Sequence, residues 1–195
     1  MPKTESSAIA LGSPAPDFVL SAPDGRTVRL ADYDGTPALL VAFISNRCPF
    51  VLLIREEFAA FARDYAQKGL AVLAINANDP VAHPEESLER VAAESREQGY
   101  AFAYVKDTTQ EVARAFNAAC TPEFFLYDKD RRLAYHGQFD DARPGSDRPV
   151  TGADLRAAAD AVLSLRPVPG EQRPSIGCNI KWAPGSTPAS VSDAA

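Results

Sequence analysis

An unbroken apolar run, Ala38-Leu39-Leu40-Val41-Ala42-Phe43-Ile44, gives way a few residues later to a different apolar rhythm. The run is too short for a typical helix and predicts a buried strand. From Pro49 onward, Val51, Ile54, Phe58, Phe61 and Tyr65 recur at i, i+3, i+7, i+10 and i+14, the period of an amphipathic helix over 49–67. Pro49 suits a helix start, because the N–H it lacks would have had no partner there. Gly69 supplies a left-handed stop. Leu70-Ala71-Val72-Leu73-Ala74-Ile75-Asn76 is the next core strand. Strand, helix and strand in that order imply a right-handed crossover and a parallel pair.

Upstream, Asp17-Phe18-Val19-Leu20 and Thr27-Val28-Arg29-Leu30 flank an Asp24-Gly25 turn and predict a hairpin, after a loose lead-in over residues 1–13. Downstream, a polar loop over 77–85 leads to a helix over 87–97. Ser87 stands at its N-cap, with Arg90 where a capping box carries Glu or Gln, and Gly99 ends it. Phe102-Ala103-Tyr104-Val105 is a short strand. Asp107 or Thr108 then caps a helix over 109–117 that carries Val112, Ala113 and Phe116. Thr121-Pro122 introduces the strand Glu123-Phe124-Phe125-Leu126-Tyr127, which turns through Asp128–Arg131 into Leu133–Gly137 as an antiparallel hairpin. A last helix over 153–165 presents Leu155, Ala158, Ala159, Val162 and Leu163 on one face. The element order predicts an α/β domain over 11–166, with a mixed central sheet and helices on both faces. Residues 167–184 are irregular. Their Ile176, Ile180 and Trp182 predict a docked tail, since burying such side chains is worth roughly 1.5–3 kcal/mol each. Residues 185–195 read as disordered.

Composition narrows the function classes. At 195 residues, one domain with a proper core is expected. A net charge of −6 and a pI near 5.0 leave no basic footprint for nucleic acid. No stretch has the length of a membrane span. The N-terminus Met1-Pro2-Lys3-Thr4-Glu5-Ser6-Ser7 carries an acid and no apolar core, so a cytoplasmic location is expected. Three cysteines are too few for a disulfide scaffold and, in a reducing compartment, read as redox-active or buried. The two histidines, His83 and His136, read as a loop residue and a strand residue with a hydrogen-bonded ring, and predict no metal site.

Cys48 is the centre of the chemistry. It falls at the seam of strand and helix, among unpaired N–H groups at the positive end of the helix dipole and beside Arg47. Both effects favour the thiolate, which is the reactive species. A lone cysteine at a strand end is otherwise a small buried hydrophobe; the Cys-Pro helix start supplies the electropositive, partly exposed setting that a reactive thiol needs. Ser45 places a hydroxyl three residues before it, able to hydrogen-bond a thiolate or a peroxide.

Asn46-Arg47-Cys48-Pro49, then Thr121-Pro122, then Gly177-Cys178-Asn179-Ile180-Lys181-Trp182 resemble, in that order, the pattern of the thioredoxin-like superfamily. Within it the chain is most similar to redoxins of the AhpC/TSA and thiol-disulfide isomerase/thioredoxin-like type, over residues 11–185. The resemblance implies a thioredoxin-like fold with an N-terminal hairpin and an inserted helix and strand. It implies a cis bond before Pro122 and a Thr121-Pro122 loop lying against the helix start, which brings Cys120 near Cys48.

It further implies a thiol-dependent oxidoreductase. Cys48 attacks a disulfide, giving a mixed disulfide, or a peroxide, giving a sulfenic acid, and a second thiol resolves either one. No bound organic cofactor is required; the partners are the disulfide or peroxide substrate and a reductant, thioredoxin or a low-molecular-weight thiol. The second cysteine of Cys-x-x-Cys is replaced by Val51, and the proline of the peroxiredoxin motif by Val41, so the resolving thiol comes from elsewhere. Cys178 reads as that resolver or as a buried anchor, and Cys120 as a second thiol or a packed small residue. Asp140-Asp141-Ala142-Arg143 is a solvated loop or an anion-holding cluster. The other function class is a redox-inert scaffold, binding a peptide as an added strand between Cys48, Thr121-Pro122 and the tail.

Overall fold

β4 (Ala38–Phe43) has every side chain buried, because alternate residues feed two different cores. Ala38, Leu40 and Ala42 face Val51, Ile54 and Phe58 of α1 (Pro49–Ala66) and Leu155, Ala158 and Val162 of α4 (Ala153–Leu163). Leu39, Val41 and Phe43 face Phe18, Phe116 and Phe125 on the opposite side. The computed structural model describes residues 3–188. The remaining elements are β1 (Lys3–Glu5), β2 (Val19–Ser21), β3 (Thr27–Arg29), β5 (Leu70–Asn76), α2 (Leu88–Glu97), β6 (Ala103–Lys106), α3 (Glu111–Ala115), β7 (Cys120–Thr121), β8 (Glu123–Tyr127), β9 (Leu133–Gly137) and β10 (Ile176–Asn179).

The large sheet runs β3-β2-β6-β5-β4-β8-β9. β4 pairs in parallel with β5, and β5 with β6; β8, β9 and the N-terminal hairpin are antiparallel additions. Helices cover both faces, with α1, α2 and α4 on one and α3 on the other. Gly69 closes the turn after α1 at φ 95; a side chain there would also meet the Pro37 ring at 2.8 Å. Among the described residues no helix is long and apolar enough to cross a membrane.

Three local expectations change. The lead-in and the tail are not irregular throughout: β1 and β10 pair antiparallel, Lys3 opposite Cys178, and β10 pairs on its other edge with β7, so the three form a second small sheet. Strands this short carry no usable period, and their pairing is wholly non-local. The helix expected over 109–117 spans only Glu111–Ala115. Its N-cap is Gln110 in the left-handed region, φ 61, and not Asp107 or Thr108. The Asp107 carboxylate reaches further in, accepting from Ala113 N at 2.8 Å. In the segment expected to be disordered, Ser186 turns back to donate to Gln110 Oε1 at 2.7 Å; residues 189–195 lie outside the described residues.

Candidate active site

β4 delivers the chain to the start of α1, where Cys48 is the N-cap and Pro49 the first helical residue. Ser45 builds this turn. Its Oγ accepts from Cys48 N at 3.1 Å and Arg47 N at 3.3 Å, and donates its proton to Glu86 Oε1 at 2.6 Å. The hydroxyl expected to serve a thiolate or a peroxide is therefore committed to Glu86. Cys48 is only 2% exposed, more buried than the partly open setting expected. Its thiol donates to the Thr121 carbonyl at 3.0 Å. The Thr121–Pro122 bond is cis. Arg47 turns outward and pairs with the Glu85 carboxylate, so its charge sits at the rim and not against the sulfur.

Behind the turn lies a buried polar network that sequence reasoning missed. Glu86, 1% exposed, accepts through Oε2 from Asn46 N at 3.0 Å and Asn76 Nδ2 at 2.6 Å. Asn46 donates through Nδ2 to the Glu85 carbonyl and accepts from the Tyr104 hydroxyl. Asn76 Oδ1 accepts from the ammonium of Lys106 at 2.8 Å, and that ammonium also donates to the Asn78 carbonyl. Glu86 and Lys106 thus stand on either side of one amide. The signal for this was faint: a lysine ending an apolar strand and a second acid beside Glu85.

Burial pushes the Lys106 ammonium down to about 8, against the pull of the Glu86, Asp107 and Asp79 carboxylates. The native state therefore loses this proton before the unfolded chain, whose lysine titrates near 10.5. The unfolded state binds more protons in that window, so stability rises with pH from about 8 toward 10.5. Cys178 acts in the opposite sense above 9.0, since its thiol is raised and the unfolded chain ionises first. Urea midpoints measured in reductant should therefore climb between pH 8 and 9, and Lys106→Met should flatten the climb.

Cys178 arrives on β10, opposite Thr121. Gly177 permits the approach: a Cβ there would lie 1.9 Å from the Thr121 carbonyl oxygen. Burial, and then a hydrogen bond with Cys48, push the Cys178 thiol up to about 12. Cys48 and Cys178 face one cleft of about 80 Å³, bordered also by Glu86, His83, Asn78 and Lys181. His83 is a loop residue, as expected, and its loop borders the cleft. Cys120 is buried, its sulfur bonded to the Pro122 and Ser175 carbonyls at 3.8 and 3.9 Å, and it is not among the residues lining that cleft. Burial, reinforced by the Glu123 carboxylate, holds its thiol well above the ordinary range.

His136 donates or accepts at Glu123 Oε1, 2.8 Å, and stacks on Phe125. Arg143 is absorbed by the Asp140 and Ala142 carbonyls and Gln138 Oε1, away from the cleft. The edge where an added peptide strand was expected is taken by the chain's own β10.

A cysteine at the N-cap position of the helix after a central strand, its thiol set against the carbonyl before a cis proline, defines a redox protein of the thioredoxin-like class. The chain belongs to the AhpC/TSA family, whose family model matches residues 11–136. It is 33% identical over 130 residues to the thiol-disulfide oxidoreductase ResA of Geobacillus thermodenitrificans (strain NG80-2), covering 67% of this chain and 70% of that one. The crystal structure of a hypothetical protein from Sinorhizobium meliloti 1021 is 64% identical, with a TM-score of 0.92 over 93% of this chain and 100% of that chain. A thioredoxin family thiol:disulfide interchange protein from Chlorobium tepidum TLS, 22% identical, shares the fold with a TM-score of 0.61 over 80% of this chain and 99% of that chain. The thioredoxin-like fold and redoxin family expected from the motifs hold. Cys178 lies beyond the segment that the family model matches.

Proposed function

We propose that the protein is a thiol-dependent oxidoreductase whose attacking thiol is Cys48 and whose resolving thiol is Cys178. The observation that carries this reading is that both thiols line one cleft, Cys48 bonded to the Thr121 carbonyl and Cys178 standing opposite Thr121 on β10. With a disulfide substrate, the Cys48 thiolate attacks one sulfur, the substrate S–S bond breaks, and one substrate thiolate leaves. Cys178 then attacks the Cys48 sulfur, releasing the second thiolate and closing a Cys48–Cys178 disulfide. With a peroxide, Cys48 takes one oxygen as a sulfenic acid and the other leaves as water or an alcohol. Cys178 condenses with the sulfenic acid, and a second water departs. An external thiol reductant returns the pair to the reduced state. The peptide-binding alternative is disfavoured because β10 occupies the groove it needs.

The test is brief oxidation with hydrogen peroxide or hydroxyethyl disulfide, an alkylating quench, and disulfide mapping by non-reducing digestion. A Cys48–Cys178 link is expected, since the two thiols line the same cleft, while Cys120 lies outside its lining. A Cys48–Cys120 link, or no intramolecular link, ends this reading.

A further inference from the structure

Resting on the Cys48 chemistry proposed above, we infer that β10 acts as a built-in occupant of the substrate edge, which restricts the protein to small oxidants and excludes polypeptide disulfides. An extended polypeptide binds a sheet by pairing its backbone with an unpaired strand edge. The edge next to Cys48 is β7, and β10 already pairs with it, Cys178 opposite Thr121 and Asn179 opposite Cys120. The outer edge of β10 is in turn covered by β1. Cys178 thereby stands where a substrate cysteine in an added strand would stand.

β10 is held along its length. Ser175 Oγ donates to the Gly137 carbonyl at 2.7 Å, and Ser6 and Ser175 exchange two hydrogen bonds. Ile180 is fully buried, and its N–H reaches the Ala119 carbonyl at 3.1 Å. Lys181 N donates to Asn78 Oδ1 at 2.8 Å. Gln110 grips the Lys181 carbonyl at 2.9 Å and accepts from Ala183 N at the same distance. Opening the edge means breaking these contacts together.

What remains accessible is the cleft. It holds about 80 Å³, against the roughly 10–15 Å³ that a single water requires. A hydroperoxide or a small organic disulfide fits; a folded chain carrying its own disulfide does not. In-line attack by Cys48, 2% exposed, therefore needs an oxidant small enough to bring its O–O or S–S bond into the cleft. The electron balance is that of the pair: two electrons leave Cys48 and Cys178 as their disulfide forms. They reduce a peroxide to water plus water or an alcohol, or a small disulfide to two thiols.

The experiment measures second-order rates of Cys48 oxidation by hydrogen peroxide, hydroxyethyl disulfide and insulin, each divided by the rate for glutathione to cancel intrinsic reactivity. In the wild-type protein at least one small oxidant should exceed insulin by roughly 100-fold or more, the factor for a reactive state populated only when the strand opens. Gly177→Ala, which drives a Cβ into the Thr121 carbonyl, should raise the normalised insulin rate. Gln110→Ala, which loosens residues 181–186 from a side chain that is not itself in the cleft lining, should do so more weakly and serves if Gly177→Ala does not fold. Equal normalised rates for insulin and the small oxidants in the wild type overturn the inference while leaving Cys48 as the attacking thiol. Selectivity unchanged in both variants overturns the role of β10. A Cys48 that none of the three oxidises ends the underlying reading as well.

Discussion

Cys48→Ser is expected to reduce turnover with any oxidant to background, a loss of at least about 10³-fold, because a serine hydroxyl in that position has neither the nucleophilicity nor the redox chemistry of a thiol. Cys178→Ser should behave differently. The first oxidation of Cys48 should proceed, and the product should accumulate as a sulfenic acid or a mixed disulfide, trapped by dimedone or seen as added mass. The pH dependence separates the two steps further. Burial and the hydrogen bond with Cys48 raise the Cys178 thiol to about 12. Once Cys48 is oxidised the hydrogen bond is altered but the burial remains, so Cys178 stays largely protonated near neutrality. Only its thiolate attacks, and the thiolate fraction grows about tenfold per pH unit below the pKa. Closure of the disulfide in the wild-type protein should therefore speed up as pH rises through the neutral range. A closure rate flat with pH, or Cys178→Ser closing an intramolecular disulfide as fast as wild type, contradicts the assignment.

The parts of this molecule visible in the sequence are those whose physics is local. The Ala38–Ile44 run, the helical period from Val51 to Tyr65 and the Glu123–Gly137 hairpin all signal their structure within a few residues, and each element lies close to where its pattern places it. Burial of β4 was legible because its apolar residues are unbroken, leaving no polar face for solvent. β1 and β10 were not legible, since each is stable only through the other and through β7. The N-cap of α3 was missed for a related reason. Gln110 holds a left-handed conformation because its side chain bridges Ala77, Lys181, Ala183 and Ser186, three of them in a tail more than seventy residues away.

The same division runs through the site. The Cys48–Pro49 seam and the Thr121–Pro122 loop were readable because their signals are short and chemical. The roles of the neighbours depend on where side chains go. Arg47 adjoins Cys48 in the chain, yet an acid thirty-eight positions away takes its guanidinium. Ser45 is three residues from the thiol, yet a buried carboxylate accepts its hydrogen bond. In both cases the competing partner comes from the loop that follows β5, which is unremarkable as sequence.

That loop carries the second large effect. Glu86→Ala should destabilise the protein by about 3–5 kcal/mol, the range for removing one member of a buried charge arrangement. The carboxylate is the acceptor for the Ser45 hydroxyl, the Asn46 N–H and the Asn76 amide. Each donor left unsatisfied in a buried site costs about 1–3 kcal/mol, less where it finds another partner. Lys106 loses the nearest opposing charge across Asn76, which adds to a burial cost already visible in its lowered pKa. Glu86→Gln keeps the shape and one acceptor oxygen but turns an N–H₂ toward the other donors, so its cost should fall between wild type and Glu86→Ala. Lys106→Met in the Glu86→Ala background should recover part of the loss, since it removes the stranded cation and leaves a side chain of similar length. Equilibrium urea unfolding in reductant measures all four proteins. A Glu86→Ala cost below about 1 kcal/mol, or no recovery on adding Lys106→Met, would show that solvent and not this network satisfies the groups behind Cys48.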